Sequence, residues 1–225
     1  MNMQHFANQF AWVTLSLLVS TLTYGQNTVD LVGLAQQNSY TLENRSLTVL
    51  ADGTKPGVRL EEKQNSTEGV AWLPALSFRE GTIELDIRGK DVLQRSFVGI
   101  AFHGSGERNY DAIYFRPFNF RATDPVRHSH AVQYIALPTY DWPVLRKDFP
   151  DQYEQPIEPA PDPNAWFHAR IVVDKETVSV FVNENAKPSL VVKKLNDRRD
   201  GKIGLWVGAG SGGDFANLKI TPRTP

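Results

Sequence analysis

Residues 81–88 read Gly-Thr-Ile-Glu-Leu-Asp-Ile-Arg. Ile83, Leu85 and Ile87 fall on one side of this stretch, and Thr82, Glu84, Asp86 and Arg88 on the other. A period of two is the signature of a strand, whose successive side chains point to opposite faces; here one face suits a core and the other suits water. The same pattern recurs outward. In Phe97–His103, Val98, Ile100 and Phe102 alternate with Phe97, Gly99, Ala101 and His103. Asp111–Phe118 and Ala131–Leu137 are rich in aromatic and β-branched residues, and Arg170–Asp174 and Val178–Val182 flank a short polar turn as a hairpin. Val191, Val192 and Leu195 mark a further strand, and Ile203–Val207 and Phe215–Ile220 close the series. Weaker strands are expected near Ser46–Leu50, Val58–Glu61 and Gly69–Leu73.

No helix longer than about two turns is expected beyond residue 25; Asp141-Trp142-Pro143 opens one short turn with Asp141 as its cap. Many short strands without alternating helices predict an all-β protein, a two-sheet antiparallel sandwich. Within 203–207, Ile203, Leu205 and Val207 would face the core and Trp206 would project from the outer face of its sheet, between Gly204 and Gly208.

Composition narrows the function. Of the 225 residues, 41% are hydrophobic and 22% charged, close to globular averages. The 24 basic and 25 acidic residues leave a net charge of −1, without the basic excess of a nucleic-acid binder. The absence of cysteine excludes disulfides, thiolate metal sites and a cysteine nucleophile. Residues 1–25 contain no Lys, Arg, Asp or Glu, and 10–24 are largely apolar. That run is shorter than the roughly 20 residues of a spanning helix, and suits a cleaved signal peptide over 1–25, with cleavage before Gln26. The expectation is a secreted or periplasmic, cysteine-free bacterial protein of one domain over 26–225, with no membrane span once the signal is removed.

Residues 138–164 break the strand pattern with Pro138, Pro143, Pro150, Pro156, Pro159, Pro161 and Pro163. So long a connection in a compact domain is usually functional. It is expected to cover part of the Trp206 face as one wall of a groove, with Trp142 near the mouth.

Five constellations are weighed as candidates for chemistry. Glu84 and Asp86 share a strand face roughly 6–7 Å apart, near the separation of about 5–5.5 Å used by retaining glycosidases; they are the candidate catalytic pair. Tyr110–Trp142 holds 8 aromatics in 33 residues, against 11% for the chain. Interleaved with them are Arg116, Asn119, Arg121, Arg127, His128, His130 and Gln133; all of these but Arg127, with Trp142 and Trp206, form a candidate glycan surface, since sugars offer apolar faces to rings and hydroxyl edges to polar groups. His128 and His130, read as lying on a strand, would place both imidazoles on one side. No metal site is assigned, and no cofactor is expected; calcium is the one ion that the acidic stretch of Asp148, Asp151, Glu154, Glu158 and Asp162 could take. Gly208, Gly210 and Gly213 fit Gly-x-Gly-x-x-Gly, but a strand follows them instead of the helix a dinucleotide site needs, so they read as a hairpin turn.

The succession GTIELDI, FVGIAFHG, YDAIYFRP, AWFHARIVV, VSVFVN, GKIGLWVG, DFANLKI resembles the concanavalin A-like lectin and glucanase jelly rolls over about residues 40–222. Within them it most resembles the bacterial laminin-G-like and 3-keto-disaccharide hydrolase domains. The resemblance implies a carbohydrate partner, most simply a glycan bound on a concave sheet face. The alternatives it implies are a glycoside hydrolase acting on a disaccharide or 3-keto-sugar, and a non-catalytic adhesion or structural module. Family 16 glycosidases of this superfamily carry Glu-x-Asp followed by a third acid on a related strand; here that acid is replaced by Arg88 or Gly89.

Overall fold

The computed structural model describes residues 25–223 except 52, 54 and 64–66. The expected signal segment, Gly25 apart, lies outside the described residues. In chain order the elements are β1 (Asn27–Thr28), α1 (Leu31–Gln36), β2 (Thr41–Glu43), β3 (Arg45–Val49), β4 (Gly57–Glu62), β5 (Gly69–Phe78), β6 (Gly81–Arg88), β7 (Val98–Gly106) and β8 (Asn109–Phe115). They continue with α2 (Pro117–Phe120), α3 (Pro125–Ser129), β9 (Val132–Ala136), α4 (Trp142–Asp148), β10 (Glu154–Gln155), β11 (Phe167–Val173), β12 (Thr177–Val182), β13 (Leu190–Lys193), β14 (Gly201–Val207) and β15 (Gly212–Pro222).

The strands make two antiparallel sheets. One has eight strands in the order β13-β12-β11-β6-β15-β4-β3, with β1 also on β15; the other has seven, β10-β9-β8-β7-β14-β5-β2. Between them lies one hydrophobic core. Leu60, Ile83, Leu85, Ile87, Ile171 and Phe215 enter it from the eight-stranded sheet, and Ile100, Phe102, Ile113, Phe115 and Leu205 from the other, all fully buried. Each such side chain contributes about 1.5–3 kcal/mol by leaving water. Phe167 ties the layers together, its ring edge-on to Phe115 at 5.0 Å and to Phe120 at 5.3 Å.

One buried charge stabilises the far end of this core. The Asp111 carboxylate takes hydrogen bonds from Tyr134 Oη (3.0 Å), Asn196 Nδ2 (2.6 Å) and Arg198 Nη2 (3.0 Å), and meets His103 Nδ1 at 3.0 Å. Burial alone would raise its carboxyl; these partners outweigh that and hold it below the ordinary carboxylate value. The network joins β7, β8 and β9 to the 196–198 connection.

The helices are where expectation and structure part. The strand expected over Asp111–Phe118 stops at Phe115, because Pro117 has no N–H for a ladder and instead occupies the first turn of α2. His128 and His130 are not on a strand. Asp124 accepts from Val126 N (2.8 Å) and Arg127 N (3.2 Å), and Pro125 opens α3, which carries His128 and ends at His130. α1 was not expected; Asp30 caps it through Gly33 N at 2.9 Å. The glycine-rich 208–213 segment is a turn, with Gly210 at φ +65°. It is not a hairpin within one sheet, since β14 belongs to the seven-stranded sheet and β15 to the eight-stranded one. α4 begins as expected, with Asp141 Oδ1 accepting from Trp142 N at 2.7 Å. No helix among the described residues is long and apolar enough to cross a membrane.

Leu85→Ala should lower the unfolding free energy by about 2–5 kcal/mol, measured by urea denaturation, because Leu85 lies between the sheets with no room to collapse. Thr82→Ala, three residues earlier on the outer face of the same strand, should cost less than about 1 kcal/mol.

Candidate functional site

The outer face of the seven-stranded sheet carries a groove of about 620 Å³. Its floor follows from the strand register. Trp206, Gly99, Tyr114 and Gln133 stand in one row across β14, β7, β8 and β9; Trp72, Gly204, Ala101, Ala112 and Ile135 make the next row. Cross-strand neighbours share a face, so large rings alternate with residues that have little or no side chain. The Trp206 ring therefore lies over Gly99 against Tyr114, with centroids 4.8 Å apart and planes tilted by 32°. A Cβ on Gly99 would come within 2.6 Å of Tyr114 Cα, and one on Gly204 within 2.9 Å of Trp72 Cε3. Trp206 Nε1 donates to Tyr110 Oη at 3.0 Å. Trp206 is only 4% exposed, so it is at once groove floor and a packed second layer.

The walls come from three separate stretches. Leu93 and Gln94, on the connection from β6 to β7, stand on one side. α4, within the proline-rich excursion, supplies Trp142, with Arg146 over its ring at 5.0 Å. α2 and α3 supply Phe118, Asn119 and Arg127. Trp142 (46% exposed) and Leu93 (55%) are large apolar side chains left open to solvent at the rim.

Beneath the wall lies a buried polar network. Glu154 on β10 accepts two bonds from Arg146, Nε to Oε1 at 2.7 Å and Nη2 to Oε2 at 2.8 Å, and one from Arg116 Nη1 at 3.3 Å. His130 Nε2 is 3.3 Å from the same carboxylate. Arg116 also donates to the His130 carbonyl (3.0 Å), to Tyr114 Oη (2.7 Å) and to Gln133 Oε1. Burial lowers the Arg116 guanidinium and the His130 imidazole from their ordinary values, and raises the Tyr114 hydroxyl to about 12. Arg116 also lies 4.8 Å over the Tyr114 ring.

The eight residues expected to bind ligand divide accordingly. Arg116, Asn119, His130, Trp142 and Trp206 line the groove. Gln133 is fully buried, in the floor row beside Tyr114. Arg121 and His128 are engaged away from the groove, Arg121 with Asp162 at 3.5 Å and His128 with Glu158 at 2.7 Å. The two histidines thus face different carboxylates, and Glu154, Glu158 and Asp162 of the acidic stretch are each taken by a basic partner. Tyr114 and Arg127 belong to the aromatic and polar segment read from the sequence but not to those eight, although strand parity with Arg116 could have singled out Tyr114. Nothing local points to Leu93, Arg146 or Glu154.

The acidic pair is on the other side of the molecule. Glu84 and Asp86 project from the outer face of the eight-stranded sheet, where Asp86 is the cross-strand partner of His168. Asp86 meets His168 Nδ1 at 2.8 Å, accepts from Asn217 Nδ2 at 2.7 Å and pairs with Lys55; Glu84 is 3.5 Å from His168 Nε2. Burial would raise the Asp86 carboxyl, but the bonds from His168, Lys55 and Asn217 outweigh it and hold it well below the ordinary value of 3.8. The bond to Asp86 raises His168 above its ordinary 6.5.

Solved structures with the same architecture exist at low identity. Carbohydrate binding module CBM66 from Bacillus subtilis matches with a TM-score of 0.57 at 14% identity, over 80% of this chain and 94% of that one. A Bacillus subtilis protein of unknown function with a galectin-like fold also scores 0.57, at 15% identity over 88% and 96%. A functionally unknown protein from Saccharomyces cerevisiae scores 0.53 at 11% identity, over 84% and 98%. No family model and no curated protein matches the sequence. The fold is the concanavalin A-like sandwich, and the likeness extends to the fold alone.

Two outcomes test this electrostatic layout. Glu154→Gln should cost about 3 kcal/mol or more in urea denaturation, because it leaves the buried Arg116 without its counter-charge. His168 should show a pH signature. Its raised value contributes stability fully present below about 6.5 and lost as pH climbs through that value, while the depressed Asp86 contributes stability present above about 3.8 and lost in acid. The melting-temperature gap between wild type and His168→Gln should therefore be widest from about pH 4 to 6.5 and narrow above it. A gap that stays constant to about pH 9 would remove the charged pair.

Proposed function

We propose that the protein binds a glycan in the groove of the seven-stranded sheet, as a secreted or periplasmic carbohydrate-binding domain. The observation that carries this reading is the floor itself: Trp206 and Tyr114 packed ring against ring beside Gly99, with Trp142 standing open at the rim and Arg116, Asn119 and His130 at its edge. Rings take the C–H faces of a pyranose or furanose, and a few fixed donors and acceptors orient its hydroxyls. The volume suits a short oligosaccharide segment. The shared fold with a carbohydrate binding module supports the same reading. Binding is favoured over hydrolysis because Glu84 and Asp86 lie on the opposite sheet. The two carboxylates that line the groove, Glu68 and Asp141, are both paired with Arg108.

Calorimetric titration against a panel of plant, algal and bacterial polysaccharides should find at least one bound ligand; folded protein that binds none would defeat the proposal. With a ligand in hand, Trp142→Ala should weaken affinity about tenfold or more and leave the melting temperature nearly unchanged, since that ring is half open to water. Trp206→Ala should behave differently, losing about 3–5 kcal/mol of stability as well, because its ring is packed on Tyr114.

A further inference from the structure

The groove is not electrically neutral in its details, and one of its arginines stands apart. Of the three that line it, Arg116 and Arg146 converge on the single carboxylate of Glu154. Arg127 has no carboxylate on its guanidinium among the described residues. Its Nε donates to Asn119 Oδ1 at 3.3 Å and its Nη2 to the Phe118 carbonyl at 2.9 Å, both neutral acceptors. Asn119 is itself fixed, with Nδ2 donating to the His130 carbonyl at 3.1 Å. Two bonds therefore hold the Arg127 fork in one orientation on the groove wall, with its charge uncompensated and Nη1 carrying no protein partner. Close by, two guanidinium charges share one carboxylate. The three lining guanidinium groups have one carboxylate, Glu154, among them, whereas the lining carboxylates Glu68 and Asp141 meet the one guanidinium of Arg108; the groove keeps a small positive surplus centred on Arg127, although the chain as a whole has a net charge of −1. An oriented guanidinium with an open edge is arranged for a planar or multi-oxygen anion, and its orientation has no ordering cost left when the ligand arrives.

Resting on the glycan reading above, we propose that the ligand is an anionic saccharide, whose carboxylate or sulfate group is held by Arg127 while its ring lies on the aromatic floor. Arg116 and Arg146 reinforce the attraction through the surplus charge they share over Glu154. Arg127 then sets specificity for charge, and Trp142, Tyr114 and Trp206 supply the affinity common to all sugars.

The test uses matched pairs of ligands. Oligogalacturonate is titrated against its methyl ester, and a sulfated galactan oligosaccharide against its desulfated form, with the full-length mature protein at low salt. The expected result is binding of at least one anionic member at least about tenfold tighter than its neutral match, as a charge-assisted bond would give. That preference should shrink as sodium chloride is raised. Which pair shows it decides between carboxylate and sulfate. Arg127→Gln should abolish the preference by weakening the anionic member far more than the neutral one, while Arg127→Lys, which keeps the charge but not the fork, should retain part of it. Unchanged near-ultraviolet circular dichroism shows that each variant is folded. Equal or tighter binding of the neutral members, or a preference that survives in Arg127→Gln, overturns this proposal and leaves the glycan reading standing. Failure of folded wild type to bind either member of both pairs, or any of the neutral panel, overturns both.

Discussion

The carboxylate of Glu154 is the fixed point of the groove. It is buried, and a buried charge is tolerated only when it is paired and hydrogen-bonded. Arg146 grips it with two bonds from α4 and Arg116 reaches it from the end of β8, so one side chain pins the proline-rich excursion to the sheet. From that pin follow the position of α4, the stand of Trp142 at the rim and the existence of a wall at all. His130 is drawn to the same carboxylate, which sets where α3 ends and where its neighbour Arg127 faces the groove. The other ties of the excursion are the two-residue strand β10, the pairs Glu158–His128 and Asp162–Arg121, and the buried Leu145 and Ile157.

The two outer faces of the sandwich meet opposite demands. On the eight-stranded sheet, polar side chains pair with their cross-strand neighbours, as Asp86 does with His168, and the face is closed by its own ion pairs. On the seven-stranded sheet, the outward positions of the groove floor are aromatic, aliphatic or very small, with Gln133 the polar exception. Such a face has little to offer water and must be covered or occupied. The excursion, the 89–97 connection and α2–α3 cover its edges, and the groove is the part they leave. The floor is rigid because Trp206, Tyr114, Tyr110 and Trp72 brace one another by ring contacts and one hydrogen bond. A ligand therefore meets a surface already ordered.

Much of this was legible in the residues. The alternation in Gly81–Arg88, Phe97–His103 and Ile203–Val207 gave strands with the correct inward face, since a pleat allows no other reading. The same parity put Trp206 outside the core and Glu84 and Asp86 on a shared face. The proline count marked 138–164 as an excursion, and its coverage of the Trp206 face was expected from the apolar area that ring would otherwise expose. The misreadings were local competitions. Pro117 and Asp124–Pro125 turned expected strand into short helices, so His128 and His130 face different acids.

By itself, the sequence determined the two-sheet sandwich and the face on which each strand residue stands, because both follow from a period of two and from burial of apolar side chains. It did not determine which outer face would hold a groove. That depended on contacts between residues far apart in the chain: Arg116 with Glu154, 38 residues on, and Trp206 with Tyr110, 96 residues back. Periodicity states the direction of a side chain and says nothing of its distant partner. Glu84 and Asp86 had the spacing of a catalytic pair, but spacing along one strand is the same on either sheet. Only the packing of sheet on sheet put them on the side away from the groove, and only the fold of the 117–130 segment set Arg127 in it on two neutral acceptors.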